Sequence, residues 1–124
     1  MTQIKVPYGD GYQEARLADD IPVQVVDPEC PPVEAPVTQL IQQALDNPIG
    51  TKRLEEMVTP EDHITIIVND HTRPGPNAEI VDAVMKRLEK AGVPDDHVEF
   101  VVATGSHRAS TPEELDKILG EEYH

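Results

Sequence analysis

At 124 residues the chain is about one domain long, enough for one real core but not for two substantial ones. Twenty-four Asp and Glu against ten Lys and Arg give a formal charge of −14, which repels phosphate backbones and anionic membrane surfaces and argues against nucleic acid or membrane as partner. Cys30 is the single cysteine, so an internal disulfide and a four-thiolate metal cluster are both excluded.

The amino terminus, MTQIKVPYGDGY, has no apolar leader, and nowhere do about eighteen apolar residues run together. With the lone cysteine this predicts a cytoplasmic protein. QIKVPYGDGYQEARLADD alternates apolar and polar residues around Gly9-Asp10-Gly11, the pattern of two short strands joined by a tight turn. Residues 1–30 are therefore expected to form a small β extension. From Pro28 to Pro36, PECPPVEAP carries four prolines and too few backbone donors for helix or central strand, and predicts a connector.

Residues 31–124 are expected to form a βαβα core. PVTQLIQQALDNPIG places Val37, Leu40, Ile41 and Ala44 on one helical face before Asn47-Pro48 stops the helix, and TKRLEEMV predicts a second short helix. HITIIVND is an almost unbroken β-branched run, which predicts a central, parallel strand covered on both faces. The segment 78–91 sets Ile80, Val81, Val84 and Leu88 at spacings of three and four, with Gly92 and Pro94 beyond it as stop signals. HVEFVVAT repeats the buried-strand pattern. Thr111-Pro112-Glu113-Glu114 then fits a capping box that opens a last helix, with Gly120 closing it.

Strand, loop, helix, strand, loop, helix with short connections implies a right-handed βαβ unit. The fold class is α/β: a Rossmann-like parallel-sheet core with an amino-terminal β-hairpin. Parallel strands release their following loops at the same edge, so DHTRPGP and TGSHRAS face one crevice, and Asp70, Thr72, Arg73, Thr104, Ser106, His107 and Arg108 are brought within reach of one small ligand. Hydroxyls and arginines ahead of helix N-termini suit a phosphate or a carboxylate. A histidine takes and gives a proton near neutrality, so His107 suits acid/base work on a bound anion. The bland alternatives are a glycine-relieved strand exit at Thr104-Gly105, a surface ion pair for Arg73 and a loop cap for Asp70. His71, His63 and His97 fit solvated positions at strand or loop boundaries. No G-x-S-x-G, G-x-x-x-x-G-K or H-E-x-x-H pattern is present, and the histidines show no ordered metal-ligand spacing.

Two of these stretches, NDHTRPGP at 69–76 and VVATGSHRASTPEEL at 101–115, together with ALDNPIGTKRLEEM at 44–57, resemble the N-terminal region of nickel-pincer lactate racemases. The resemblance implies an isomerase that interconverts stereoisomers of lactate or a related 2-hydroxy acid, using a nickel-pincer pyridinium mononucleotide that takes hydride from the substrate carbon and returns it to either face. It implies His107 as one of two alternating acid/base histidines. It assigns Asp70, His71, Thr72 and Arg73 to the cofactor, with Arg73 also near the substrate. The second histidine, a covalent cofactor lysine and a nickel-ligating histidine belong to a further domain of the same polypeptide, so this chain is expected to hold part of a site. A non-catalytic module that binds a phosphate- or carboxylate-bearing small ligand is the alternative.

Overall fold

The computed structural model describes residues 2–26 and 32–123. Most of the proline-rich connector's first half, Cys30 and the expected boundary after residue 30 lie outside these residues. The chain divides into two compact units, residues 1–33 and 34–124.

The first unit carries the expected hairpin. Strands β1 (Thr2–Tyr8) and β2 (Gly11–Leu17) pair antiparallel from Thr2 opposite Leu17 to Tyr8 opposite Gly11. Gly9, at φ 57°, supplies the positive φ that a two-residue Gly-X loop needs at its first position. Lys5 and Glu14 stand opposite one another and approach to 3.4 Å, an exposed pair that adds little to stability.

The second unit is the α/β core. It runs α1 (Val37–Asp46), a single 3₁₀ turn (Leu54–Glu56), β3 (Ile64–Asn69), α2 (Asn77–Ala91), a second 3₁₀ turn (Asp95–His97), β4 (Val98–Ala103) and α3 (Pro112–Leu119). Strands β3 and β4 pair in parallel, from Ile64 beside Val98 to Asn69 beside Ala103, so they end flush. Ile64, Ile66 and Val68 of β3 and Val98, Phe100 and Val102 of β4 turn inward onto Val81, Met85 and Leu88 of α2 and Ile118 and Leu119 of α3. Helix α2 ends where expected: Gly92, at φ 84°, donates its N–H to the Glu89 carbonyl, and Val93 donates to the Leu88 carbonyl, closing the last turn with two bonds of 2.9 and 3.0 Å. Helix α3 starts on the expected capping box, with the Glu114 N–H donating to Thr111 Oγ1 and the Thr111 N–H donating to Glu114 Oε2.

Two expectations are corrected. The β3–β4 sheet is covered on one face, not both. Its other face is open, with Ile67 71% and Val101 45% exposed, and among the described residues neither strand has a second neighbour, so within them β3 is an edge strand. A β-branched run signals capacity for burial, and here helices pack on one side only. Helix α1 does not bury its apolar stripe: Val37, Leu40 and Ala44 are exposed, and the helix is tied to α2 by polar contacts instead. Buried Arg87 of α2 donates to Gln42 and Asp46 of α1 and to Glu55 of the first 3₁₀ turn, at 2.7 to 2.8 Å. TKRLEEMV forms the expected second short helix as a single 3₁₀ turn, and it goes no further. Thr59 donates its N–H and hydroxyl to Asp62 in a competing local turn, and Pro60 has no N–H to continue a helix.

Candidate functional site

Because β3 and β4 stop at the same register, the loops 70–76 and 104–111 leave one edge of the sheet together. Asp70 is the first residue past β3, and it is 3% exposed. Its Oδ1 accepts from the Thr72 hydroxyl at 2.7 Å and from the Thr72 N–H at 3.3 Å, while its carbonyl accepts the Arg73 N–H at 3.1 Å. This folds the loop into a tight turn. On the other side Gly105, at φ 57°, lets the His107 N–H reach back to the Thr104 carbonyl at 3.0 Å. That turn aims the imidazole at Asp70, and His107 Nδ1 hydrogen-bonds to Asp70 Oδ2.

The pair has a defined polarity. The bonds from His107 first, and from Thr72 second, hold the Asp70 carboxyl down to about 2 against the usual 3.8. A carboxylate only accepts, so Nδ1 carries the hydrogen and the Nε2 lone pair is left as the basic position of a ring that is 48% exposed.

A second tie lies beside the first. Arg108 forks onto Glu114, with Nη1 to Oε2 at 2.8 Å and Nη2 to Oε1 at 2.7 Å, and His71 Nε2 stands 3.5 Å from Oε1. The Arg108 fork, then the Thr111 N–H, draw the Glu114 carboxyl down to about 2, and the same fork raises Arg108. His71 Nδ1 and Ser110 Oγ are buried here without a protein partner.

The sequence-derived residues thus separate by circumstance. Asp70, His71, Thr72, His107 and Arg108 meet in this cluster, with Asp70, Thr72 and Arg108 engaged by the protein itself. Arg73 is exposed, and its guanidinium has no partner among the described residues. Thr104 is half-buried and Ser106 exposed on the same loop. His63 and His97 are stacked at 4.1 Å just ahead of β3 and β4, at the opposite edge of the sheet. The two helices that follow the loops differ as anion receptors. The first turn of α3 is filled by Thr111 and Glu114, whereas α2 begins at Pro76 without any side-chain cap. Sequence reasoning gave Glu114 a capping role alone, and it brought Asp70 and His107 to one crevice without pairing them directly. The available signal was register: residues one and four past two flush parallel strands can touch.

A family model described as the lactate racemase N-terminal domain matches residues 8–124. The chain belongs to that family. It is 31% identical, over 98% of its length, to the lactate racemase of Thermoanaerobacterium thermosaccharolyticum, and 43% identical, over 68% of its length, to that of Lactiplantibacillus plantarum. It also superimposes on the structure of the lactate racemase apoprotein from T. thermosaccharolyticum with a TM-score of 0.70 at 28% identity, covering 98% of this chain. The chain spans 29% and 20% of the two curated relatives and 28% of the solved structure. No helix among the described residues is long and apolar enough to cross a membrane.

Proposed function

We propose that this chain is the N-terminal part of a longer enzyme that interconverts the stereoisomers of lactate or a related 2-hydroxy acid, with His107 as acid/base and the residues around Arg73 binding the anionic groups. The observation that carries the reading is the Asp70–His107 pair, which spans the two loops and leaves Nε2 of a half-exposed ring uncommitted, while Arg73, on the same loop as Asp70, has a guanidinium without a partner among the described residues.

The residues present fit the family's nickel-pincer mononucleotide. A nucleotide phosphate needs N–H donors and a cation, and the uncapped first turn of α2 together with Arg73 offers both. His71, whose Nδ1 is buried and unpartnered, adds a further polar contact on the same loop. When bound, the group supplies reversible uptake of the substrate's C2 hydride. This chain supplies the proton side. Arg73 forks onto the substrate carboxylate and fixes the hydroxyl near His107. His107 Nε2 accepts the hydroxyl proton as the carbonyl forms and returns it in the reverse direction. Asp70 keeps the ring in one orientation and steadies the imidazolium that results. By the family resemblance the complementary histidine, the covalent lysine and the nickel ligand would come from a further domain of the same polypeptide, in a cytoplasmic setting.

Replacing His107 by Ala in the full-length polypeptide tests this. Racemisation is expected to be lost while the cofactor remains bound, as read by nickel content and absorbance of the purified protein. Wild-type activity in that variant refutes the assignment.

A further inference from the structure

Glu114 takes no part in the reaction above, yet four groups converge on its carboxylate. Oε1 meets Arg108 Nη2 at 2.7 Å and His71 Nε2 at 3.5 Å, and Oε2 meets Arg108 Nη1 at 2.8 Å and the Thr111 N–H at 2.9 Å. Starting helix α3 requires only the last of these. The others join the two loops. His71 follows Asp70 in the chain, and Arg108 follows His107. Each loop therefore places one residue in the Asp70–His107 pair and the next residue at Glu114, Arg108 through two hydrogen bonds and His71 through an electrostatic contact at 3.5 Å. One such link leaves the half-exposed imidazole free to pivot about a single hydrogen bond. Two adjacent links, anchored to the first turn of a helix whose Ile118 and Leu119 sit in the core, fix both its direction and its reach.

We propose that Glu114 is a positioning residue: by holding His71 and Arg108 it locks the two loops together and sets the distance from His107 Nε2 to a substrate anchored on Arg73. The catalytic consequence rests on the function proposed above. A second consequence concerns anion choice. Glu114 takes one N–H from each terminal nitrogen of Arg108, and Nη1 also donates to the Ala109 carbonyl at 2.9 Å, so the end-on fork that would grip a carboxylate is occupied on Arg108, whereas the guanidinium of Arg73 has no partner among the described residues. Glu114→Gln keeps the shape but presents one accepting oxygen and one NH₂, which cannot pair with a fork of donors.

The experiment compares wild type, Glu114→Gln and Thr111→Ala. Thr111→Ala removes the other half of the capping box and leaves the carboxylate on Arg108 and His71, so it controls for simple loss of helix stability. In the full-length polypeptide Glu114→Gln is expected to lower kcat roughly 10- to 100-fold with KM changed less than about threefold, because a misplaced base slows chemistry more than it weakens binding. Thr111→Ala is expected to hold kcat within about twofold. In parallel, side-chain ¹H–¹⁵N NMR of this chain should show one protected His107 Nδ1–H signal in wild type and Thr111→Ala, and a broadened or missing one in Glu114→Gln. Unchanged kcat in Glu114→Gln, an equal loss in Thr111→Ala, or an undisturbed His107 signal in Glu114→Gln overturns the proposal. Should the wild-type polypeptide racemise no 2-hydroxy acid, the functional reading falls instead, and the NMR comparison alone decides the role of Glu114.

Discussion

Leu88 is 1% exposed and lies where α2 meets the sheet and α3, so it tests whether the seating of α2 is what holds the two loops at one edge. Leu88→Ala deletes three buried carbons, worth about 0.8 kcal/mol each in transfer free energy. A cavity that relaxes incompletely adds about 24 cal/mol per Å³ left empty, which for a void on the order of 50 Å³ is about 1 kcal/mol. The expected loss is about 3 to 4 kcal/mol. For a unit of this size each kcal/mol lowers Tm by about 4–8 °C, so a fall on the order of 15 °C or more is expected. Urea denaturation followed by far-UV circular dichroism measures it, with the slope unchanged and only the midpoint moved. Ile67→Ala is the internal control. It lies on β3 but faces out, 71% exposed, and should cost no more than about 0.5 kcal/mol. A loss below about 1 kcal/mol at Leu88, or an equal loss at Ile67, would show that the inward face of the sheet is not the packed one.

Acid should weaken the site from its carboxylates. Asp70 and Glu114 are both held near 2 in the folded chain, below their ordinary 3.8 and 4.5, so their contribution is complete above those ordinary values and disappears as pH falls through about 2. Denaturation midpoints should therefore decline between about pH 5 and 2, and Asp70→Asn should flatten that decline; a profile identical to wild type would refute the linkage. Gly92→Ala places a side chain at φ 84° with its Cβ 3.3 Å from Pro60 Cγ. The left-handed conformation alone costs about 1–2 kcal/mol, and thermal melts showing no loss would contradict the described end of α2.

Legibility in the sequence followed the range of the interaction. The hairpin, α2, the capping box of α3 and both core strands are specified by neighbours within a few residues: Gly9-Asp10 for the loop, the three- and four-residue spacing from Ile80 to Leu88, Thr111 with Glu114. The family was legible for the same reason, since its two loops are contiguous words. What escaped was decided by partners far along the chain. The burial of β3 depends on which of its faces meets a helix, and Ile67 and Val68 look alike until that is known. The apolar stripe of α1 gave way to Arg87, a residue forty-one positions from Asp46, whose ion pairs set how that helix docks. Asp70 with His107, thirty-seven positions apart, is likewise visible only once the strand ends are known to be level.

That level ending couples core packing to chemistry. Were β4 to slide by a single residue against β3, Val98, Phe100 and Val102 would swing to solvent, and the histidine carried beyond its end would advance by about 3.3 Å, further than the span of a hydrogen bond. The oily side chains of the strands thus act as a ruler for the loop that follows β4, and a mutation that merely loosens alignment should part His107 from Asp70 well before it unfolds the domain.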